Sequence, residues 1–186
     1  VVIKIVNDEN VALTRYLAGE FDKTGVPTGQ FLKMQKQYPA EVYSNPKLCT
    51  YYYSLNMGEN GPEALKDKRV RQALSYAIDR DIIVENILQA GQFPAYTFTP
   101  GATAGFSVPE VAAATMSQAE RDAKAAELLS AAGYDKGNPL AIEILYNTSE
   151  GHKKNRDCDQ PDVEAKTGRG SNHAEPGMEN LPVHER

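Results

Sequence analysis

The sequence lacks several features that would assign a protein class at once. It has no tryptophan and only two cysteines in 186 residues, which excludes a disulfide-dense scaffold. It contains no run of 18 apolar residues, which excludes a membrane-spanning helix. Basic residues are too few for a generic nucleic-acid binder, because 20 Lys and Arg stand against 25 Asp and Glu and leave a net charge of −5.

Residues that carry catalytic or metal chemistry are also scarce. His152 is the only histidine before residue 155, and neither a cysteine nor a serine in a nucleophile motif accompanies it. His152, Cys158, His173 and His184 have spacings that match no metal-binding motif. We therefore expect a protein that is not an enzyme, binds no metal and needs no cofactor.

The chain divides near residue 154 into two parts of different composition. All ten tyrosines and all five phenylalanines lie within residues 1–154. Residues 155–186 contain no aromatic residue, carry four basic against seven acidic residues and show no helical or strand period. A segment of this kind buries too little apolar surface to offset the entropy lost on ordering, so we expect 155–186 to be disordered.

Strand and helix patterns alternate along the first part, which predicts an α/β fold. Strands are predicted where β-branched and aromatic residues cluster, at 1–6, 48–57 and 140–146. Helices are predicted from apolar residues at helical spacing, at 10–18, 28–39, 68–78, 80–88 and 117–129. Asp79 is a predicted N-cap, Ser117 and Glu120 form a predicted capping box, and Gly133 is a predicted helix end.

Three consecutive tyrosines at 51–53 are the first candidate binding feature. Tyrosine combines apolar area with a polar tip, which suits the wall of a ligand cleft. On an extended strand Tyr51 and Tyr53 point to one face and Tyr52 points to the other. We expect at least one of these faces to lie in the core, so that the row has at most a shared role in binding.

Asn147 and His152 are the second candidate feature. They follow a predicted strand and lie at a strand-to-helix turn, where ligands commonly bind in open α/β sheets. An amide, an imidazole and a helix N-terminus together suit a carboxylate, and a surface histidine without a ligand is the alternative. The basic cluster at residues 66–71 is either a solvated helix start or a surface for an acidic partner.

Several segments, in this order along the chain, carry a family resemblance: 15–20, 48–53, 69–74, 79–84, 94–100 and 145–149 followed by 152–154. Together they resemble the periplasmic oligopeptide-binding proteins of bacterial peptide ABC importers. The resemblance implies an incomplete part of a two-lobed, type II-like periplasmic-binding-protein fold. Residues 1–48 would end one lobe, 49–154 would begin the second lobe, and 155–186 would be a tail foreign to the family.

The same resemblance implies a function. It suggests an extracytoplasmic protein, located in the periplasm, that binds oligopeptides and delivers them to a membrane ABC permease. Asn147 and His152 fall on family residues near the C-terminal end of the peptide, and Tyr52 falls on a tyrosine of the cleft. Cys49 falls on a cysteine that forms a disulfide in intact family members. We expect a truncated form with weakened or lost peptide binding, and a non-binding fragment with a structural or interaction role is the alternative.

The tail has a possible genetic explanation. The resemblance ends within a residue or two of Lys154. When 155–186 is back-translated with permitted codons and read one base later, the new string resembles the continuation that the family has, namely an apolar helix, a glycine turn, an alternating strand and a tryptophan-containing segment. We therefore expect the sequence that follows Lys154 to be a frameshifted product.

Overall fold

A computed structural model describes residues 1–146, His152 and Asn172–Ala174 of the chain. The described helices are α1 (Glu9–Leu17), α2 (Phe31–Gln37), α3 (Lys68–Ala77), α4 (Arg80–Ile82), α5 (Ala112–Thr115) and α6 (Gln118–Ala131). A 3₁₀ helix at Glu63–Lys66 precedes α3, and a π-helical turn at Ile83–Leu88 follows α4. Two short strands, β1 (Glu143–Leu145) and β2 (Asn172–Ala174), pair in parallel, with Glu143 opposite Asn172.

Both ends of α6 form as the sequence predicts. The Ser117 hydroxyl accepts from the Glu120 N–H, and a Glu120 carboxylate oxygen accepts from the Ser117 N–H at 2.7 Å, which completes the capping box. At the other end Gly133 has a positive φ of 89°, and the Tyr134 N–H donates to the Leu129 carbonyl at 2.9 Å. Glycine suits this position because it adopts a left-handed backbone without steric cost.

Side chains of the basic cluster at residues 66–71 form hydrogen bonds and an ion pair with other residues of this chain. The Asp67 carboxylate caps α3 by accepting from the Arg69 N–H at 2.8 Å and pairs with the Arg69 guanidinium at 2.6 Å. Arg69 also donates to the Ala131 carbonyl, and Arg71 donates to the Leu65 carbonyl at 2.9 Å. The cluster therefore fastens the start of α3 to the end of α6 and to the 3₁₀ helix.

The core of the described residues lies between α3 and α6. Val70, Leu74 and Ala77 form the buried face of α3, as their helical spacing predicts. The buried cluster consists of Leu65, Val70, Ala73, Leu74, Ala77, Ala125, Leu129 and Leu140. All of its members lie between residues 65 and 140. Earlier in the chain the buried side chains are Met34 and Pro27.

Two of the predicted strands are wrong. Residues 1–6 and 48–57 pair with no strand among the described residues, and Val1 to Ile3 are at least 82% exposed. A strand completes its backbone hydrogen bonds only on a neighbouring strand, so β-forming composition alone does not produce one. The third predicted strand, 140–146, is confirmed in the shorter form β1.

Two further regions differ from the prediction. The predicted helix at 80–88 begins at its Asp79 cap as expected, but its second half is π-helical and ends at Gln89 with a positive φ of 56°. Asn172–Ala174 departs from the prediction of a disordered tail, because it pairs with β1. The remainder of 155–186 and Asn147 lie outside the described residues, and the predicted lobe boundary at 48/49 stays a prediction.

Candidate functional site

The tyrosine segment, residues 48–57, presents its rings alternately to two sides. Tyr51 contacts Tyr53 edge-on, with ring centroids 6.0 Å apart. Tyr52 instead contacts Phe98 edge-on, with centroids 5.0 Å apart. The predicted alternation is therefore confirmed, although no neighbouring strand supports the segment among the described residues.

The tyrosine segment reaches the core at Leu55, which packs against the buried cluster, while its tyrosines lie further out. Tyr51 is 53% exposed and Tyr52 is 57% exposed, while Tyr53 is half-buried. The expectation that one face lies against the core is therefore confirmed at Leu55 and not at Tyr51 or Tyr52. Most of the core lies between α3 and α6, which leaves both Tyr51 and Tyr52 accessible to a binding partner.

His152 lies against the tyrosine segment through Tyr51. The two rings are tilted by 55° with centroids 5.4 Å apart, and His152 is half-buried in a helical conformation. The described ring contacts thus bring His152 to Tyr51, whereas Tyr52 meets Phe98. Sequence reasoning missed Tyr51 as the partner of His152, because no local pattern links residues so far apart.

Cys49 lies near the start of the tyrosine segment and is exposed. Its thiol is free in the part of the chain that the structure describes, and its N–H donates to the Lys47 carbonyl at 2.9 Å. The thiol is therefore accessible from solvent. Its pairing in a disulfide is implied by the family resemblance alone.

One side-chain hydrogen bond joins the tyrosine segment to the long connection at 91–108, and a second joins residues that precede each of them. The Thr50 hydroxyl donates to the Phe98 carbonyl at 2.8 Å. Just before the segment, the Ser44 hydroxyl donates to the Ala90 carbonyl at 2.9 Å. These bonds hold the connection beside the tyrosines in place of a strand ladder.

Two arginines enclose Tyr96 within this connection. The guanidinium carbons of Arg80 and Arg121 lie 5.0 Å and 5.6 Å from the centre of the Tyr96 ring, within cation–π range. Arg121 is only 3% exposed and donates to the carbonyls of Ala113 at 3.1 Å and Met116 at 2.7 Å. Sequence reasoning missed this arrangement, because an arginine near a helix start normally faces water.

A separate pocket of about 400 Å³ lies beside α1. It is lined by Tyr16, Leu17, Phe21, Asp22, Tyr38 and Glu41. The Tyr16 hydroxyl donates to the Glu41 carboxylate at 2.6 Å, and this bond raises the pKa of Tyr16 because ionisation would place two negative charges together. The pocket contains none of the predicted site residues.

Within residues 1–146, His152 and Asn172–Ala174, no group of three or more His, Cys, Asp or Glu is placed to hold a metal ion. Among the helices described, none combines the length and the apolar character needed to cross a membrane.

A family model covers most of the chain. Residues 1–158 match the model for bacterial extracellular solute-binding proteins, family 5 middle. The periplasmic murein peptide-binding protein MppA of Escherichia coli is 47% identical over 150 residues, which are 80% of this chain and 27% of that protein. Its solved structure matches with a TM-score of 0.86 at 40% identity, over 93% of this chain and 34% of that chain.

Oligopeptide-binding proteins give similar matches. The periplasmic protein OppA of Salmonella typhimurium is 42% identical over 151 residues, 80% of this chain and 27% of that protein. The structure of Haemophilus influenzae OppA in complex with RPPGFSPFR matches with a TM-score of 0.79 at 35% identity, over 92% of this chain and 34% of that chain. The chain thus spans about a third or less of these relatives. The matched structures are two-lobed periplasmic binding proteins, which confirms the predicted fold class.

Proposed function

The chain belongs to family 5 of the bacterial extracellular solute-binding proteins, and from this premise we propose that it forms part of a peptide receptor for an ABC importer. The proposed ligand is an oligopeptide, and the proposed compartment is the periplasm. The relatives named above are called periplasmic and peptide-binding, which supports both proposals. The proposed partner for delivery is a membrane ABC permease.

The observation that carries this proposal is the exposed tyrosine segment with His152 against it. Tyr51 and Tyr52 are each more than half exposed, and His152 contacts Tyr51. Accessible tyrosines can pack on peptide side chains and donate hydrogen bonds to peptide carbonyls. We assign Tyr52, His152 and Asn147 as peptide contacts, with His152 and Asn147 near the C-terminal end of the peptide.

Taken alone, these 186 residues should bind peptide more weakly than a full-length relative. Solute-binding proteins of two lobes enclose their ligand between the lobes, which removes water from both sides of it. A single wall makes fewer contacts and leaves the ligand solvated. Weak but saturable binding is therefore the expected behaviour.

The test is a calorimetric titration of the chain with RPPGFSPFR beside Haemophilus influenzae OppA. We expect saturable binding that is about tenfold or more weaker than that of OppA. Tyr52→Ala and His152→Ala should weaken it further. Tyr43→Ala is the matched control, because Tyr43 is another exposed tyrosine, at 70%, and lies outside the tyrosine segment.

A second candidate is a fragment that binds no peptide and serves as a structural or interaction piece. The exposed apolar residues Val1, Val2, Ile3 and Ile5 favour it, since such surface is typical of a protein contact. Absence of any heat signal with RPPGFSPFR, together with association of the chain in sedimentation, would favour this candidate over the first.

A further inference from the structure

Phe98 is an exposed ring on a backbone that is held on both sides. The ring is 70% exposed, and its carbonyl accepts from the Thr50 hydroxyl. The Thr97 hydroxyl donates to the Thr99 carbonyl at 2.9 Å, just across Phe98. Two residues earlier, Tyr96 is enclosed by the two arginines described above. The backbone at Phe98 is therefore held in place, while most of the residue is exposed to water.

Phe93, in the same connection, lacks the contacts that Phe98 has among the described residues. Its ring is 88% exposed, and it makes no hydrogen bond or ring contact among those described. Two phenylalanines five residues apart thus differ sharply in how they are held. Exposure alone does not explain why Phe98 is anchored and Phe93 is not.

An anchored ring is suited to bind an apolar group. Water contact with an apolar ring is unfavourable, and covering the ring with a ligand recovers that free energy. A ring whose backbone is held and which already contacts the Tyr52 ring loses less conformational entropy on binding than a ring on an unsupported backbone. The edge-on Tyr52 ring, 5.0 Å away, extends the apolar surface.

The charges near this surface are already engaged. Arg80 donates to the carbonyls of Ala95 at 3.0 Å and Ser75 at 2.8 Å, and its guanidinium lies over Tyr96. Arg121 is buried and bonded to carbonyls. Both cations are already paired with Tyr96 and with backbone carbonyls, so the surface of Phe98 and Tyr52 offers apolar area to a ligand.

We propose that Phe98 and Tyr52 together form a subsite for an apolar or aromatic side chain of the bound peptide, with Phe98 determining specificity. This inference rests on the proposed function, since it names the side chain that the peptide site selects. The Thr50 hydroxyl, which donates to the Phe98 carbonyl, holds the Phe98 backbone beside Tyr52.

The test follows the phenylalanine rings directly in the full 186-residue chain. The five phenylalanines are replaced by fluorophenylalanine, and the fluorine resonance of Phe98 is assigned with Phe98→Leu. The chain is titrated with RPPGFSPFR and with RPPGASPAR, in which alanine replaces both phenylalanines. We expect the Phe98 resonance to shift saturably with RPPGFSPFR while the Phe93 resonance stays in place.

Affinities measured on Phe98→Ala complete the test. This variant should bind RPPGFSPFR about three- to tenfold more weakly and RPPGASPAR with nearly unchanged affinity. Phe93→Ala should change neither affinity, and circular dichroism should show that both variants stay folded. Equal weakening for both peptides, or no weakening for either, would overturn the subsite while the proposed function stands. If the unaltered chain binds neither peptide, the proposed function and the subsite are both wrong.

Discussion

The pair α3–α6 and the segments 1–6 and 48–57 are all rich in apolar residues, yet only the helical pair buries them. Val70 and Ala73 in α3 have no exposed area, whereas Ile3 is 84% exposed and Leu48 is 67% exposed. A helix satisfies its backbone internally and needs only one apolar partner, which α3 and α6 provide for each other. An extended segment needs the backbone of a neighbour as well.

The two regions are consequently held by different forces. Apolar packing dominates between α3 and α6, and the bond from Arg69 to the Ala131 carbonyl and the helix caps support it. The tyrosine segment is held by side-chain bonds such as the one from Thr50 to Phe98 and by Leu55, which packs against the core. Substitutions in the helical pair should therefore change stability, and substitutions in the tyrosine segment should change binding.

The largest expected effect is a loss of stability when a buried leucine is truncated, compared with an exposed leucine five residues later. Leu140 is 1% exposed within the core, and Leu145 is 61% exposed in β1. Leu140→Ala should lower the free energy of unfolding by about 2–5 kcal/mol, because it leaves a cavity. Leu145→Ala should change it by no more than about 0.5 kcal/mol. Urea denaturation followed at 222 nm measures both, and equal losses would break the comparison.

A smaller loss is expected at Arg121. Arg121→Ala removes the donors to the Ala113 and Met116 carbonyls and should cost about 2 kcal/mol. Arg15→Ala is the control, because Arg15 makes an exposed ion pair with Glu20 at 2.7 Å and should cost at most about 1 kcal/mol. Thermal unfolding of both variants ranks their losses of stability, and a larger loss for Arg15→Ala would contradict a stabilising role of the buried Arg121.

The cap of α6 should have an effect near the middle of the range for single helix caps. Ser117→Ala deletes the hydroxyl that accepts from the Glu120 N–H and should cost about 1 kcal/mol. Ser130→Ala, at an exposed position near the other end of α6, should leave stability almost unchanged. Denaturant midpoints of the two variants provide the measurement, and coincident midpoints would show that the cap is dispensable.

The smallest expected effect is a pH dependence. Hydrogen bonds from the Ser117 hydroxyl and N–H lower the pKa of Glu120 in the folded chain. The stabilisation is therefore present above the ordinary glutamate pKa and is lost as the pH falls below about 4.3 toward the folded value. Bonds and charge from Arg69 lower the pKa of Asp67 and act in the same direction.

Glu120→Gln tests this dependence, because glutamine keeps the geometry of the cap without a titrating carboxylate. The variant should lose less stability than the unaltered chain between neutral pH and pH 3 or so. Glu59→Gln, at an exposed turn, should keep the original acid slope. Melting temperatures of the three proteins across this pH range are the measurement. If all three lose stability equally as the pH falls, Glu120 is not the source of the pH dependence.

Much of the helical structure was predictable, because its signals lie within a few residues. Asp79, the capping box of Ser117 and Glu120, and Gly133 each marked a helix end that forms. The alternation of Tyr51, Tyr52 and Tyr53 was also predictable, since an extended backbone turns successive side chains to opposite sides. The family resemblance likewise rested on short segments read in order.

Other features depend on residues far apart in the chain. The hydrogen bond from Thr50 to the Phe98 carbonyl joins residues that are 48 positions apart. The ion pair of Arg121 with Asp81, at 3.5 Å, joins residues that are 40 positions apart. Whether 48–57 finds a neighbouring strand, which ring each tyrosine meets and whether Arg121 is buried all follow from how distant segments pack. The local sequence determines which backbone conformation a segment prefers. Burial and strand pairing also need a neighbouring segment, and only the tertiary structure decides which segment that is.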